Sequence, residues 1–359
     1  MSDQSLQKTK HAQITLITLF LVLSLLPVLA MLVVGQTQPS ANEILSSKPQ
    51  LVRRDGSINT AVLNDFSDYI ADRFAFRKQL VTAWSGINSA LFRSSAEDQV
   101  VLGREDWLFF EPTLDDYMGR SMSENELRAA ASYLAALQND AESRGAQFYF
   151  TIAPNKNSLY GSYMPAYIPE NHAASNAERI KPYLEEFGVN YVDLFSVFSE
   201  RGEVLYYHGD SHWTARGAAL AADRMLEAMG KSTSYFEGTF IEDEPHKGDL
   251  YEMLYPVGEG RETSEKPAGG FSFTLASDPN GGNAMKIVSS CEGENGSLVC
   301  WRDSFGISLY PYLADSFENA VFLRSSDYDM EMIDTSGADV VLIEIVERNL
   351  KNLAAAAGE

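Results

Sequence analysis

With 359 residues, 45% of them hydrophobic, and 28 Lys and Arg against 50 Asp and Glu, the chain is a folded protein of formal net charge −22. Its length allows one large α/β domain with smaller attachments. Nothing in it resembles a basic stripe, so nucleic acid is excluded as a partner.

At the N-terminus, Lys8 and Lys10 precede Ile14–Val34, an uncharged apolar run of 21 residues. At about 1.5 Å per residue this spans roughly 30 Å, the hydrocarbon thickness of a bilayer. The next basic residue is Lys48, so the positive-inside rule leaves the bulk of the chain outside the cytoplasm. A cleaved signal peptide, cut near Val33-Val34-Gly35, is the rival reading. The run is longer than a signal h-region of about 7–15 residues, and Pro27 is tolerated in a membrane helix, so an uncleaved anchor is expected. Residues 1–35 therefore read as a cytoplasmic stub and transmembrane signal-anchor, 36–60 as a polar linker containing Pro39, and 61–359 as the folded domain.

Between Asn64 and Phe92 apolar side chains recur as Phe66, Tyr69, Ile70, Phe74, Leu80, Val81, Trp84, Ile87 and Leu91. This spacing predicts one long or broken amphipathic helix packing on the main domain. Val100 to Phe110 reads as a hairpin with a charged turn, and 61–112 as an N-terminal helix-and-hairpin part. An alternation follows. Ser123–Ser143 is a helix with Ser123 and Glu126 in capping-box positions. Gln147–Ile152 is a strand, Asn176–Phe187 a helix and Asn190–Phe195 a strand. Thr214–Met229 is a helix capped by Thr214 and stopped by Gly230. Ser297–Arg302 is a strand entering a turn at Ser304, with a helix to about Ser316, and Val321–Leu323 and Val340–Val346 are strands. Such alternation predicts an α/β fold, a mostly parallel sheet with helices on both faces.

One stretch interrupts this order. Phe271–Leu275 and Lys286–Ser289 flank Asp278-Pro279-Asn280-Gly281-Gly282, a hairpin signature, so 258–300 reads as a β-rich insertion beside the site, a candidate lid. Cys291 and Cys300 bracket a turn-rich segment. In an oxidising compartment they predict a local disulfide contributing roughly 2.5–3 kcal/mol and clamping the strand before Ser304. No second pair is present to make a thiolate metal site.

Chemistry concentrates in Gly209-Asp210-Ser211-His212-Trp213-Thr214 and, about ninety residues on, Arg302-Asp303-Ser304-Phe305-Gly306. Asp210 and His212 are two apart, so in an extended segment both point to one side and the carboxylate reaches the imidazole Nδ1–H. The helix that follows should oppose imidazolium modestly. Ser304 lies between strand and helix, where a hydroxyl is presented at the carboxyl edge of a sheet and its own N–H can face an oxyanion. Asp210, His212 and Ser304 thus form a candidate catalytic triad. The alternative is a metal strand, His208-x-Asp210-x-His212. It has few histidines to complete it (His172, His246) and gives Trp213 and Thr214 no role, so no metal and no cofactor are expected.

These motifs, with Gly103-Arg104-Glu105-Asp106-Trp107-Leu108-Phe109 and Ala153-Pro154-Asn155-Lys156, resemble the SGNH-hydrolase-like alginate O-acetyltransferase proteins of the AlgJ and AlgX type. They also resemble the related family named for an Asp-His-His-Trp motif. The resemblance covers about Asn64 to Leu350 by motif order. It implies a three-layer α/β/α fold, circularly permuted, preceded by a single transmembrane helix. It implies extracytoplasmic esterification of polysaccharide hydroxyls, with acetyl supplied by a membrane-bound O-acyltransferase partner. By position, Ser304 becomes the acetylated nucleophile, His212 the base and Asp210 its orienter. Tyr310 is similar to a family tyrosine near the site, or else a core aromatic. Lys156 helps shape the site, or else is a surface lysine. Trp213, Arg302 and Arg348 are further candidates around the triad or the substrate. Glu344 interrupts an apolar strand, and a cation such as Arg348 is its expected partner, since an unpaired buried carboxylate is costly.

Three departures stand out. Arg302 replaces the glycine of the family's Gly-Asp-Ser motif, Ser211 replaces the middle histidine of Asp-His-His-Trp, and the sequence stops at Glu359 without a carbohydrate-binding module. A neutral glycan would meet less repulsion from this acidic chain than a polyanion, although screening beyond about 10 Å at 0.1 M salt weakens that argument and a salty habitat would account for the acidity equally well. The expectation is an exported, membrane-anchored polysaccharide O-acetyltransferase. A glycan O-acetyl esterase and a non-catalytic glycan-binding scaffold are the alternatives.

Overall fold

In the computed structural model, residues 3–39, 45–53, 55–120, 122–170, 173–277 and 281–357 are described. They fall into two units, Met1–Glu97 with Tyr251–Glu259, and Asp98–Leu250 with Gly260–Glu359. His172 and the hairpin residues Asp278, Pro279 and Asn280 lie outside the described residues.

The first unit begins with α1, Asp3–Val34, whose stretch Lys10–Val34 is long and apolar enough to cross a membrane. The amphipathic stretch then forms two helices, α2 (Val62–Arg73) and α3 (Arg77–Phe92). The break falls where Phe74 turns extended and Phe76 adopts a left-handed backbone.

The second unit opens with the hairpin, β1 (Val100–Leu102) against β2 (Leu108–Phe110), its turn carried by positive φ at Glu105 and Asp106. Helix α4 (Glu124–Ser143) follows, with the Ser123–Glu126 capping box closed in both directions. Next come β3 (Gln147–Ala153), α5 (Asn176–Glu186) and β4 (Tyr191–Val192). Leu194 and Phe195 do not prolong β4. The Asp193 carboxylate accepts from the N–H groups of Phe195 and Ser196 at 3.0 and 3.4 Å and so starts α6, Leu194–Ser199. Helix α7 (Ala215–Ala228) is capped by Thr214, whose hydroxyl accepts from Gly217 N–H at 3.2 Å.

The elements that follow include β5 (Phe240–Glu242), β6 (Glu265–Pro267), β7 (Thr274–Ser277), β8 (Lys286–Ser290), β9 (Ser297–Trp301), α8 (Gly306–Ala314), β10 (Asn319–Leu323), β11 (Val340–Val346) and α9 (Leu350–Ala356). Seven strands form the main sheet in the order β4-β3-β11-β9-β10-β8-β7. Pairing is parallel from β4 through β10 and antiparallel at β8 and β7. All seven residues of β11 are buried, and its run Val-Val-Leu-Ile-Glu-Ile-Val is the near-continuous apolar pattern of a parallel strand covered on both faces. Alternate side chains sort into two layers of core. Phe148, Phe150, Val299, Trp301 and Ile343 meet α4, α5 and α9 on one face, while Leu298, Cys300 and Leu342 meet α6, α7 and α8 on the other. The result is three layers, helix–sheet–helix.

Two expectations from the sequence change here. The stretch 258–300 does not stand apart as an insertion or lid: β6 pairs with β5, β7 and β8 extend the main sheet, and β9 is one of its inner strands. The Cys291–Cys300 disulfide is also absent, since both thiols are free and buried. Strand β10 lies between β8 and β9, so Cys291, just past β8, and Cys300, in β9, are two strands apart. At about 4.8 Å per strand that is about 9–10 Å, more than the roughly 7 Å between Cα atoms that a disulfide can bridge.

Candidate active site

The turn that carries Ser304 is fixed from below. Arg302 N–H donates to Leu323 O at 2.9 Å, continuing the β9–β10 ladder one residue past the strand. The Asp303 carboxylate then accepts from Phe305 N–H (2.9 Å), Val346 N–H (2.7 Å) and Asn349 Nδ2 (3.1 Å), tying the turn to the end of β11. The Arg302 guanidinium donates to the carbonyls of Gly282, Ala284 and Asp303 at 2.7, 3.1 and 3.1 Å. Where the related motif has glycine, this arginine is a buried brace. It lies so close to Gly306 that a Cβ there would enter its side chain. Ser304 sits at the top of the turn, and its N–H has no partner among the described residues.

The second segment is held from two sides. Its ends pair in an antiparallel bridge, Tyr206 with Trp213. From below, Lys156 Nζ donates to the carbonyls of Tyr207 (3.0 Å), His208 (2.9 Å) and Asp210 (2.6 Å). From the other side, the Glu262 carboxylate accepts from His208 and Gly209 N–H at 2.6 and 2.7 Å. Asp249 accepts from Ser211 N–H at 2.7 Å and from the Ser211 hydroxyl at 2.6 Å. Gly248 passes so close to the Gly209 backbone that any side chain there would collide with it.

Within this frame His212 Nδ1 lies 2.7 Å from Asp210 Oδ1, and His212 Nε2 lies 2.9 Å from Ser304 Oγ. The other Asp210 oxygen faces a second imidazole, with His246 Nε2 at 2.8 Å, and also accepts from Asp249 N–H at 3.1 Å. The His246 ring stacks on Tyr207 with 3.9 Å between centroids. One carboxylate is thus shared by two histidines.

The charges follow from these contacts. Burial pushes the Asp210 carboxyl up, but hydrogen bonds and charge from His212 and His246 outweigh it and hold the group well below the usual carboxylate range. Burial works to discharge His212, yet the Asp210 hydrogen bond and the charges of Asp210 and Asp249 prevail and raise its pKa. The modest opposition expected from the helix N-terminus is therefore overridden. Asp249 is itself raised, by burial and by the Asp210 charge.

The other sequence candidates divide. Trp213 is buried, and its Nε1 donates to Ser308 Oγ at 2.8 Å, joining the histidine segment to α8. Lys156 is buried and braces the loop, not a surface lysine. Tyr310 packs its ring on Phe273 and Phe322, an aromatic in the core cluster. The Arg348 guanidinium lies over Phe110 and Phe305 at 5.3 and 5.6 Å and makes no hydrogen bond among the described residues. His208 stacks its ring on Trp107, with 4.4 Å between centroids. Asp210, His212 and Asp249 do bring ligand atoms within 4.8 Å of one another, but their oxygens and nitrogens are engaged in the hydrogen bonds above. The sequence pattern does not signal the hydrogen bonds that His246, Asp249, Glu262 and Asp303 make here. The first three stand far from the two motifs, and the Asp303 carboxylate finds its partners only through the fold.

Two buried carboxyls lie behind the site. Glu344 does not form the expected ion pair with Arg348. Its Oε2 accepts from Asp303 N–H at 3.2 Å, and burial with the Asp303 charge raises it well above the usual range. Glu347 accepts from Asn155 N–H and Ser158 Oγ, and burial pushes it up to about 7. A carboxyl raised in the folded state contributes stability that is full at low pH and lost as pH climbs towards its folded pKa. Glu347→Gln should therefore gain stability at pH 8 relative to pH 5, by about 2 kcal/mol. Equal shifts in Tm at the two pH values would show that the group is not raised.

The fold is a three-layer α/β/α domain that brings Ser304, His212 and Asp210 into hydrogen-bonding contact. Residues 100–270 match the family described as SGNH hydrolase-like domain, acetyltransferase AlgX. The chain is 24% identical over 212 residues to the probable alginate O-acetylase AlgJ of Pseudomonas syringae pv. tomato, covering 55% of this chain and 53% of that one. It is 25% identical over 191 residues to the AlgJ of Pseudomonas putida, covering 50% and 48%. It therefore spans about half the length of these curated relatives. Among solved structures, Bacillus cereus PatB1 superposes with a TM-score of 0.55 at 18% identity, over 70% of this chain and 96% of that one. A DHHW family protein from Eubacterium siraeum gives 0.51 at 18%, over 66% and 90%. Over about half of its length the chain is similar to the AlgJ proteins, and its residues 100–270 match the AlgX family model.

Proposed function

We propose that the chain is an extracytoplasmic polysaccharide O-acetyltransferase anchored by α1, with Ser304 as nucleophile, His212 as base and Asp210 as orienter. The observation that carries this reading is the unbroken relay from Asp210 through His212 to Ser304, with contacts of 2.7 and 2.9 Å. His212 Nε2 takes the hydroxyl proton as Ser304 Oγ attacks the acetyl carbonyl, and returns it to the departing donor group. An acetyl-serine ester remains. A sugar hydroxyl then gives its proton to His212, attacks the ester, and leaves Ser304 reprotonated. The free Ser304 N–H is suited to stabilise the oxyanion in both steps. Arg348 offers unused donors to an oxygen of the bound donor or acceptor. Acetyl would come from a membrane-bound O-acyltransferase, and the names of the relatives favour a polysaccharide acceptor.

Incubating the chain with a chromogenic acetyl ester should release the chromophore and leave acetyl on Ser304, detectable by peptide mass. Product formation that depends on added glycan distinguishes transfer from hydrolysis by the same site. Absence of any acetylated Ser304 peptide under rapid quench would sink the proposal.

Base catalysis requires neutral His212, so activity should fall as pH drops through a pKa above the ordinary histidine value. Asp249→Asn removes one of the charges that raise it. The acid limb of kcat/KM should move to lower pH by a few tenths to about one unit. A limb that stays in place rules out the electrostatic role of Asp249.

A further inference from the structure

Away from the site, the first unit contains a helix turned inside out. Phe76, Leu80, Trp84, Ile87 and Leu91 follow one another at helical spacing along α3, and each is between 46% and 72% exposed. Ala83 and Ala90 extend the same stripe. The opposite face is polar and covered: Ser85 is 2% exposed, and Thr82 Oγ1 accepts from Val257 N–H at 3.3 Å. A helix bathed in water buries its apolar stripe and exposes its polar one. The sequence of α3 holds no acidic residue, and it starts with Arg77 and Lys78.

The same unit supplies a ruler for depth. Ala75 N–H, at the entrance to α3, donates to Pro27 O at 3.2 Å, and Pro27 lies inside α1. The seven steps from Pro27 to Val34 rise about 10 Å. Just past α1, Thr37 is bound to Arg73 O and Phe74 O at 3.1 and 2.7 Å, which fixes the end of α2 beside the end of the span. Amphipathic helices lying in a membrane interface bury their apolar face about 5–10 Å into it, and α3 begins at that depth. Leu63 and Phe66, on the preceding helix α2, are also exposed.

We propose that α3 lies in the plane of the membrane, with Phe76, Leu80, Trp84, Ile87 and Leu91 seated among lipid acyl chains. Arg77 and Lys78 then stand where lipid phosphates are. The proposal uses the reading of α1 as a retained span and is independent of the chemistry assigned to Ser304.

Trp84 reports on it directly, because Trp107, Trp213 and Trp301 are each only 1% exposed and belong to the other unit. The full chain is reconstituted in nanodiscs of phosphatidylethanolamine and phosphatidylglycerol, with either plain or brominated acyl chains. Brominated lipid should quench most of the emission that distinguishes the wild type from Trp84→Phe, and little of the rest. An intact, inserted chain whose Trp84 stays unquenched overturns the in-plane seat but leaves the anchor standing, whether water or a protein partner then covers the stripe. A chain that does not enter nanodiscs, and whose mass is short by α1, overturns both.

Discussion

Replacing Ser304 by alanine should lower kcat for acetyl transfer by a factor on the order of 10³–10⁶, the range spanned by nucleophile deletions in triad enzymes. The expectation is large because every hydrogen bond of the Ser304 hydroxyl among the described residues goes to His212, so no other group takes over its task. Folding should be nearly untouched. The turn is held by Asp303 and Arg302, and neither contact involves the serine side chain. His212→Ala should cost about as much, and the double variant little more than either single, because the two act as one unit. Initial rates with a chromogenic acetyl ester, alongside thermal unfolding, provide the check. Turnover within a factor of a few of wild type in Ser304→Ala would remove the serine from the mechanism.

Asp303→Ala should strike both stability and rate. Its carboxylate satisfies three donors at once, two backbone N–H groups and the Asn349 amide, from elements on either side of the turn. Each donor left unpartnered away from water costs roughly 1–3 kcal/mol, so a loss of about 3 kcal/mol or more is expected. With the turn released from β11, Ser304 loses its register with His212. A shift of about 1 Å in such a geometry can reduce kcat on the order of 100-fold. Asp303→Asn keeps one acceptor oxygen and should recover part of both losses. Chemical denaturation and kcat measured on the same samples test this. A fully stable Asp303→Ala would mean that water or a neighbouring group fills the role.

The sequence made some of this legible and hid the rest for definite reasons. Periodicity located β3, β11, α4, α5 and α7 because each has a long enough pattern or a side-chain cap, as at Ser123 and Thr214. The reading failed where a single side chain decides the outcome. Asp193 converts the end of a strand into a helix, and nothing in the apolar pattern reveals that. It also failed where order in space departs from order in the chain. Cys291 and Cys300 look like two arms of one hairpin until β10, about twenty residues further on, slots between them. Asp210, His212 and Ser304 stood out because their spacing carries meaning. His246, Asp249 and Glu262 meet them only through tertiary folding, and a lone histidine in an acidic stretch carries no such signal. Lys156 could be placed near the site by its motif, but its three carbonyl partners are a property of the folded loop.

Keeping the two thiols on separate strands has a practical reach. No step in the maturation of this chain calls for an oxidant, a disulfide isomerase or a particular glutathione poise. Its yield should be the same from hosts with or without thiol-oxidising machinery, and dithiothreitol in the buffer should be harmless. Anyone preparing the protein can choose the host for its membranes and disregard its redox state.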